Sequence, residues 1–137
     1  MATVREVLGF IESIAPPSNV WSEDNIGLLV GDPDHHVSRG VCCLDASECL
    51  VADILAIRPQ LVVAHHPIIF RPIRAITPSI PQGRVMLRLL EHRISVIGAH
   101  TNWDAAHGGI SDALAERLGL VNVRVVGKGF TTETPFK

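Results

Sequence analysis

The sequence predicts a three-layer α/β/α domain built on a mostly parallel or mixed sheet. Apolar runs of strand length recur along it: Gly40-Val41-Cys42-Cys43-Leu44, Leu61-Val62-Val63-Ala64 and Ile94–Ala99. Stretches of helical period lie between those runs. Strand, helix, strand in that order argues for parallel neighbours joined by right-handed crossovers. The chain has 137 residues, 47% of them hydrophobic. That suits one domain with a real core and argues against disorder.

Each element has its own signal. Thr3-Val4-Arg5-Glu6 has the form of a capping box. It opens a helix whose inward face is Val4, Val7, Leu8, Ile11 and Ile14, and Pro16-Pro17 stops it. Ile26–Val30 is a short strand closed by Gly31, and Asp32-Pro33-Asp34-His35-His36 is a polar turn. Asp45-Ala46-Ser47 caps a helix to about Ile57, with Leu50, Val51, Ile54 and Leu55 inward and Pro59 beyond its end. Residues 67–80, with Pro67, Pro72 and Pro78, form a long loop of the kind that often covers a functional site. Pro81 starts a helix with Val85, Met86, Leu89 and Leu90 inward. Gly108-Gly109 precede a helix to Leu118, which Gly119 caps. Val121–Val126 is the last strand. The domain therefore runs over residues 1–126, and residues 127–137 are a Thr-rich tail. No internal repeat is present.

Composition excludes several function classes. A net charge of −2 gives no basic footprint for nucleic acid. No apolar run is long enough to span a membrane, and the N-terminus lacks the blocks of a signal peptide. Cys42, Cys43 and Cys49 cannot build a disulfide framework. They read as buried thiols in a reducing compartment, which places the chain in the cytoplasm.

The chemistry is concentrated at two strand ends. His65 and His66 leave one apolar run, and His100-Thr101-Asn102-Trp103-Asp104 leave another. In open α/β sheets ligands bind outside the carboxyl ends of the strands, and Asp45 sits at such an end too. Neutral imidazole is the commonest protein metal ligand. Adjacent imidazoles in a loop are expected to diverge, so that they hold different ions or one orients the other. With the Asp104 carboxylate they suit Zn, Mn, Fe or Ni rather than Ca or Mg. The alternative is a pair of histidines satisfied by loop carbonyls.

His100, nearer its strand, is expected to support the site rather than to hold metal. Thr101 and Asn102 position water or substrate, or merely cap the turn. Trp103 is read as packing, and His107 and His35-His36 as solvated. Cys42 and Cys43 point to opposite faces of a strand and cannot chelate one ion. Gly108-Gly109 before a helix is a weak anion signal. Arg71 and Arg74 meet phosphate only if their loop folds over the site, and are otherwise in solvent.

Three blocks resemble a known family. They are Trp21-Ser22-Glu23-Asp24-Asn25-Ile26-Gly27-Leu28, Ala64-His65-His66-Pro67-Ile68-Ile69-Phe70, and Ala99-His100-Thr101-Asn102-Trp103-Asp104-Ala105-Ala106. They are similar to blocks of the NGG-one-interacting-factor-three-like family, whose members are also called GTP cyclohydrolase 1 type 2 homologues. Ser22-Glu23 separate Trp21 from Asp24-Asn25, a departure from the family's first block.

The resemblance implies a site for two divalent transition-metal ions, with His65, His66 and Asp104 as ligands. It also implies a duplicated α/β fold and toroidal hexamers. In longer members the second half ends with a His and a Glu that complete the site. No His follows His107 here, so this chain resembles the N-terminal half only. The leading expectation is a metal-dependent, GTP cyclohydrolase-like hydrolase that uses a metal-bound water on a small molecule or nucleotide. The second is a non-enzymatic metal-binding or assembly module with an incomplete site and a protein partner. The third is a structural domain with inert histidines.

Overall fold

The computed structural model describes residues 1–124. The chain enters through a two-residue strand, β1 (Ala2–Thr3), and turns at once into α1 (Val4–Ile14). The capping box is formed: Glu6 N donates to Thr3 Oγ1 at 3.2 Å, and Thr3 N donates to Glu6 Oε2 at 2.7 Å. Those bonds, the Thr3 backbone N–H first, hold the Glu6 carboxyl below its ordinary value. Thr3→Ala is expected to lower stability by about 1 kcal/mol, read from the midpoint of urea unfolding at unchanged slope. A 3₁₀ turn, Pro17–Asn19, follows α1.

After it come β2 (Gly27–Val30), β3 (His36–Val37), β4 (Gly40–Asp45), α2 (Val51–Ile57), β5 (Leu61–His66), α3 (Pro81–Glu91) and β6 (Ser95–Gly98). The described part closes with a single helical turn, α4 (Thr101–Asp104), and α5 (Ile110–Arg117).

The main sheet has the order β2-β6-β5-β4. β4, β5 and β6 run parallel, and β2 runs antiparallel to β6. The sheet is therefore mixed, with its three parallel strands taken in sequence order. Asp45 stands beside His66 and Ala64 beside Gly98 in the ladder. A separate ribbon pairs β1 with β3 and includes His36, one of the two histidines expected in a turn.

The layers follow from strand alternation. On one face Val62, Ala64 and Val96 pack against Val51 and Ile54 of α2 and against Val85, Met86 and Leu89 of α3. On the other, Leu61, Val63 and Ile97 pack against Val4 and Ile11 of α1. Both parallel crossovers thus lie on one side of the sheet, and all three parallel strands point their carboxyl ends the same way.

Several expectations need correction. α2 begins at Val51, because residues 47–50 form a turn in which Val51 N donates to Ser47 O at 2.9 Å. The Ser47 hydroxyl lies against Cys49 Sγ at 3.1 Å instead of capping. Ile14, Leu50 and Leu90 are exposed, so the buried stripes of these helices are narrower than their periodicity suggests.

The thiols differ too. Cys42 and Cys49 are exposed, and Cys43 is half-buried. The physical reason for Cys42 is that β4 is an edge strand whose Gly40, Cys42 and Leu44 face solvent. Burial pushes the Cys43 thiol up, with Cys42 and Asp45 adding to it, so this thiol stays protonated. Residues 121–124 are not strand. The rest of the expected last strand, and the tail at 127–137, lie outside the described residues.

Candidate metal centre

β5 carries the pair His65-His66 as its last two residues. The β6 ladder is prolonged by Ala99 N donating to Ala64 O at 3.0 Å, which delivers His100 to the same edge. Neighbouring strand residues ordinarily face opposite ways. At the end of the sheet the two rings instead converge, with centroids 5.1 Å apart. The His100 ring lies 5.1 Å from that of His65 and 5.8 Å from that of His66. The three side chains can each offer one ligand atom within 4.8 Å of the others. Convergence replaces the expected divergence, and it brings in His100, which the sequence reading kept apart from the ligands.

Hydrogen bonds set which nitrogen faces the cluster. His65 Nδ1 lies 3.0 Å from Ala99 O, His66 Nδ1 2.8 Å from Asp45 Oδ1, and His100 Nδ1 2.9 Å from Asp24 Oδ1. A carbonyl or a carboxylate can only accept, so each Nδ1 carries the proton and donates it. In the neutral ring each Nε2 then keeps its lone pair. A carbonyl or carboxylate behind the distal nitrogen is the arrangement that orients metal-binding histidines. The donor set therefore fits a divalent transition ion. Asp104, at the end of α4, brings Oδ1 to 3.6 Å from His65 Nε2, with its side chain 37% exposed.

The residues behind the rings are the part the sequence reading missed. The Asp24 side chain is 0% exposed. Its carboxylate accepts from His100 Nδ1, from Asn25 N at 2.8 Å, from Thr101 N at 3.1 Å and from the Thr101 hydroxyl. Burial pushes its pKa up, but the bonds from Thr101, His100 and Asn25 outweigh that and hold it below the ordinary value. The signal available was the position of Asp24 inside the first matching block.

Thr101 also accepts from Trp21 N at 3.0 Å. Asn102 is buried, accepts from His100 N at 3.0 Å and donates to Ala15 O at 2.8 Å. The polar side-chain atoms of both residues are thus engaged by protein, which ties the His100 turn to the end of α1. Trp103 packs against the core beneath α1.

The long loop leans on the site. Asn25 Nδ2 donates to Ile69 O at 2.6 Å, and the Phe70 ring stands 6.2 Å from that of His100. Arg71 and Arg74 in the same loop are exposed. A cleft of about 340 Å³ opens beside His66, lined by Asp45, Ser47, Gln82 and Val85 among others. Elsewhere, the His107 side chain is fully exposed beside Asp112.

Fold and cluster together define an α/β domain with a candidate metal centre at the carboxyl edge of its parallel strands. The chain belongs to the Duf34/NIF3 (NGG1p interacting factor 3) family, whose profile matches residues 2–132. It is 32% identical over its whole length to a GTP cyclohydrolase 1 type 2 homolog of Halalkalibacterium halodurans, of which it covers 37%.

Among solved structures, it is similar to a Bacillus cereus protein related to NIF3. The TM-score is 0.88 at 33% identity, over 93% of this chain and 35% of that one. It is also similar to reduced HcgD from Methanocaldococcus jannaschii, with a TM-score of 0.84 at 32% identity, over 93% and 52% of the two chains. The chain thus spans less than half the length of the curated relatives it matches, between 34% and 47% in the relatives from Bacillus subtilis and Clostridium acetobutylicum. No helix among the described residues is long and apolar enough to cross a membrane.

Proposed function

We propose that this chain is the metal-holding part of a metal-dependent hydrolase acting on a small molecule or nucleotide. The observation that carries the reading is that His65, His66 and His100 each set Nδ1 against a carbonyl or carboxylate oxygen, which leaves Nε2 of the neutral ring for an ion. His65, His66 and His100 would hold a divalent ion, with Asp104 supplying the carboxylate beside His65. When bound, such an ion supplies Lewis acidity and lowers the pKa of a coordinated water.

The chain's own residues do the rest. Asp24, Asp45 and the Ala99 carbonyl fix the rings. Phe70 and the loop held by Asn25 limit the approach of bulk water to His100. The cleft beside His66 leaves room for a substrate next to the ligands. The name GTP cyclohydrolase 1 type 2 homolog, carried by the relatives, favours a purine nucleotide as the first substrate to test. A cytoplasmic homo-oligomer is part of the same proposal, with any missing ligands supplied by another polypeptide segment.

A second reading, a non-enzymatic assembly module, is favoured by one feature. Leu114, Leu118, Leu120, Val121 and Val123 are all exposed near the end of the described chain. A row of that kind suits association.

Metal per chain, measured by elemental mass spectrometry on untagged protein, tests the first reading. The expected result is stoichiometric transition metal in the wild type and near-complete loss in His65→Ala. GTP turnover that a chelator abolishes would extend the result to hydrolysis. Absence of metal from both proteins would overturn the hydrolase reading in favour of the assembly module.

A further inference from the structure

We propose that a second site, at the opposite end of the sheet from the histidines, binds a small phosphate-bearing anion through Arg58 and Arg93. Where β5 and β6 begin, a cleft of about 420 Å³ is lined by His35, Arg58, His92 and Arg93 over an apolar floor that includes Leu55 and Ile94. No carboxylate lines it. An adjoining cleft shares His35, Arg93 and Ile94 and adds Asp32, whose Oδ1 accepts from Asp34 N at 2.9 Å.

The backbone singles out the two arginines. Arg58 follows α2 with φ 53° and Arg93 follows α3 with φ 55°. After α5 the corresponding left-handed position is taken by Gly119, at φ 67°. Glycine or asparagine is the ordinary choice there, because a side chain costs about 1–2 kcal/mol in that region. Arginine has been placed in it twice, ahead of two adjacent parallel strands.

A cation near a helix C-terminus is favoured by the helix dipole. A residue in the last right-handed turn would serve that purpose without backbone strain, so the dipole does not account for the choice. Strain of this sort is a pointer to function where it recurs around one cavity.

The charges are also uncommitted. Among the described residues, the arginine ion pairs are Arg5–Asp34 and Arg84–Glu48. Arg39 donates to Ile57 O at 2.6 Å. The guanidinium groups of Arg58 and Arg93 have no such partner among the described residues. His92 donates Nδ1 to Arg88 O at 2.8 Å, which settles the orientation of its ring. Two guanidinium groups and two imidazoles on one cleft supply the several N–H donors and positive charge that a phosphate takes. The inference stands apart from the metal reading, since it uses neither the same residues nor the same edge of the sheet.

Calorimetric titration of the metal-free whole chain with inorganic pyrophosphate is the test, run on three proteins. The wild type is expected to bind. The double variant Arg58→Gly with Arg93→Gly is expected to bind about tenfold more weakly or worse. Its melting temperature should hold or rise, because glycine relieves the backbone strain. Arg117→Ala on α5 removes one exposed charge elsewhere and should bind as the wild type does.

Amide shifts in the wild-type chain give a readout independent of mutation. They should centre on Gln60, Arg93 and Ile94. No binding by the wild type overturns the proposal. So does unchanged binding by the double variant, equal weakening in Arg117→Ala, or amide shifts centred on the histidines.

Discussion

His100→Ala is expected to lower transition-metal affinity by about 100-fold, and Asp24→Asn by about 10–100-fold, although Asp24 does not face the cluster. The second effect follows from hydrogen-bond donors. The Asp24 carboxylate presents four acceptor positions to donors on three residues: the His100 ring, the Thr101 hydroxyl and N–H, and the Asn25 N–H. An asparagine has one oxygen and one NH₂. If the oxygen stays with Thr101, the NH₂ points at His100 Nδ1. That nitrogen must then become the acceptor, the proton moves to Nε2, and the lone pair offered to metal is lost. If the oxygen turns to His100, the NH₂ meets the two donors of Thr101 in a buried pocket, at a cost of about 1–3 kcal/mol. Either way the variant loses. Competition with a chromophoric chelator would measure the affinities. Asp24→Asn with wild-type affinity would show that the carboxylate does not set the His100 tautomer.

Gly31→Ala is expected to destabilise the domain by about 3 kcal/mol or more, among the larger effects a single methyl group produces. Gly31 follows β2 at φ 105°, where an L side chain is strained. A Cβ there would collide with the Ser95 hydroxyl and stand 2.7 Å from the Ser95 Cα. Ser95 is buried and begins β6, and its hydroxyl accepts from Asp32 N at 3.2 Å. The neighbour that would have to yield is thus strand backbone in the centre of the sheet. Gly27→Ala is the control. Its φ of 88° is also positive, but nothing lies within 4 Å of an added Cβ. That variant should lose only the conformational term, about 1 kcal/mol. Urea unfolding of both proteins gives the comparison. Equal losses would mean that backbone preference alone governs Gly31.

Much of this architecture was legible because strand runs and helix caps are local signals. Thr3 with Glu6, Pro81 at the first helical position and Gly119 after α5 each act within a few residues of chain. Leu61–Ala64 and Ile94–Ala99 are apolar because both of their faces are covered, and continuous apolar runs report that directly. β4 carries a similar run yet leaves Cys42 and Leu44 in solvent, since its place at the sheet edge depends on strand order.

The candidate site divides along the same line. His65 and His66 were conspicuous as a pair at a strand end. The role of Asp24 lay 76 residues from His100 in sequence, and no local pattern links them. α4 was missed because a single turn has no periodicity to detect. The convergence of the two neighbouring imidazoles was missed because the apolar run stops at Ala64, which put both rings in a loop, whereas β5 carries them as its last two residues.

Two of the three rings stand on β5 and the third just beyond the end of its neighbour β6, with the Asp45 carboxylate on β4. Adjacent strands in any sheet are about 4.8 Å apart. The sheet is therefore the ruler for the spacing across the cluster, and the His65–His100 ring separation of 5.1 Å is close to its natural graduation. A cluster measured out in this way comes pre-assembled, so little ordering entropy opposes an incoming ion. It also has no separate existence from the core. The His65–His66 half should be lost only when β5 and β6 part, with the slowest-exchanging amides of the molecule, whereas the His100 half also needs the Asp24 loop in place.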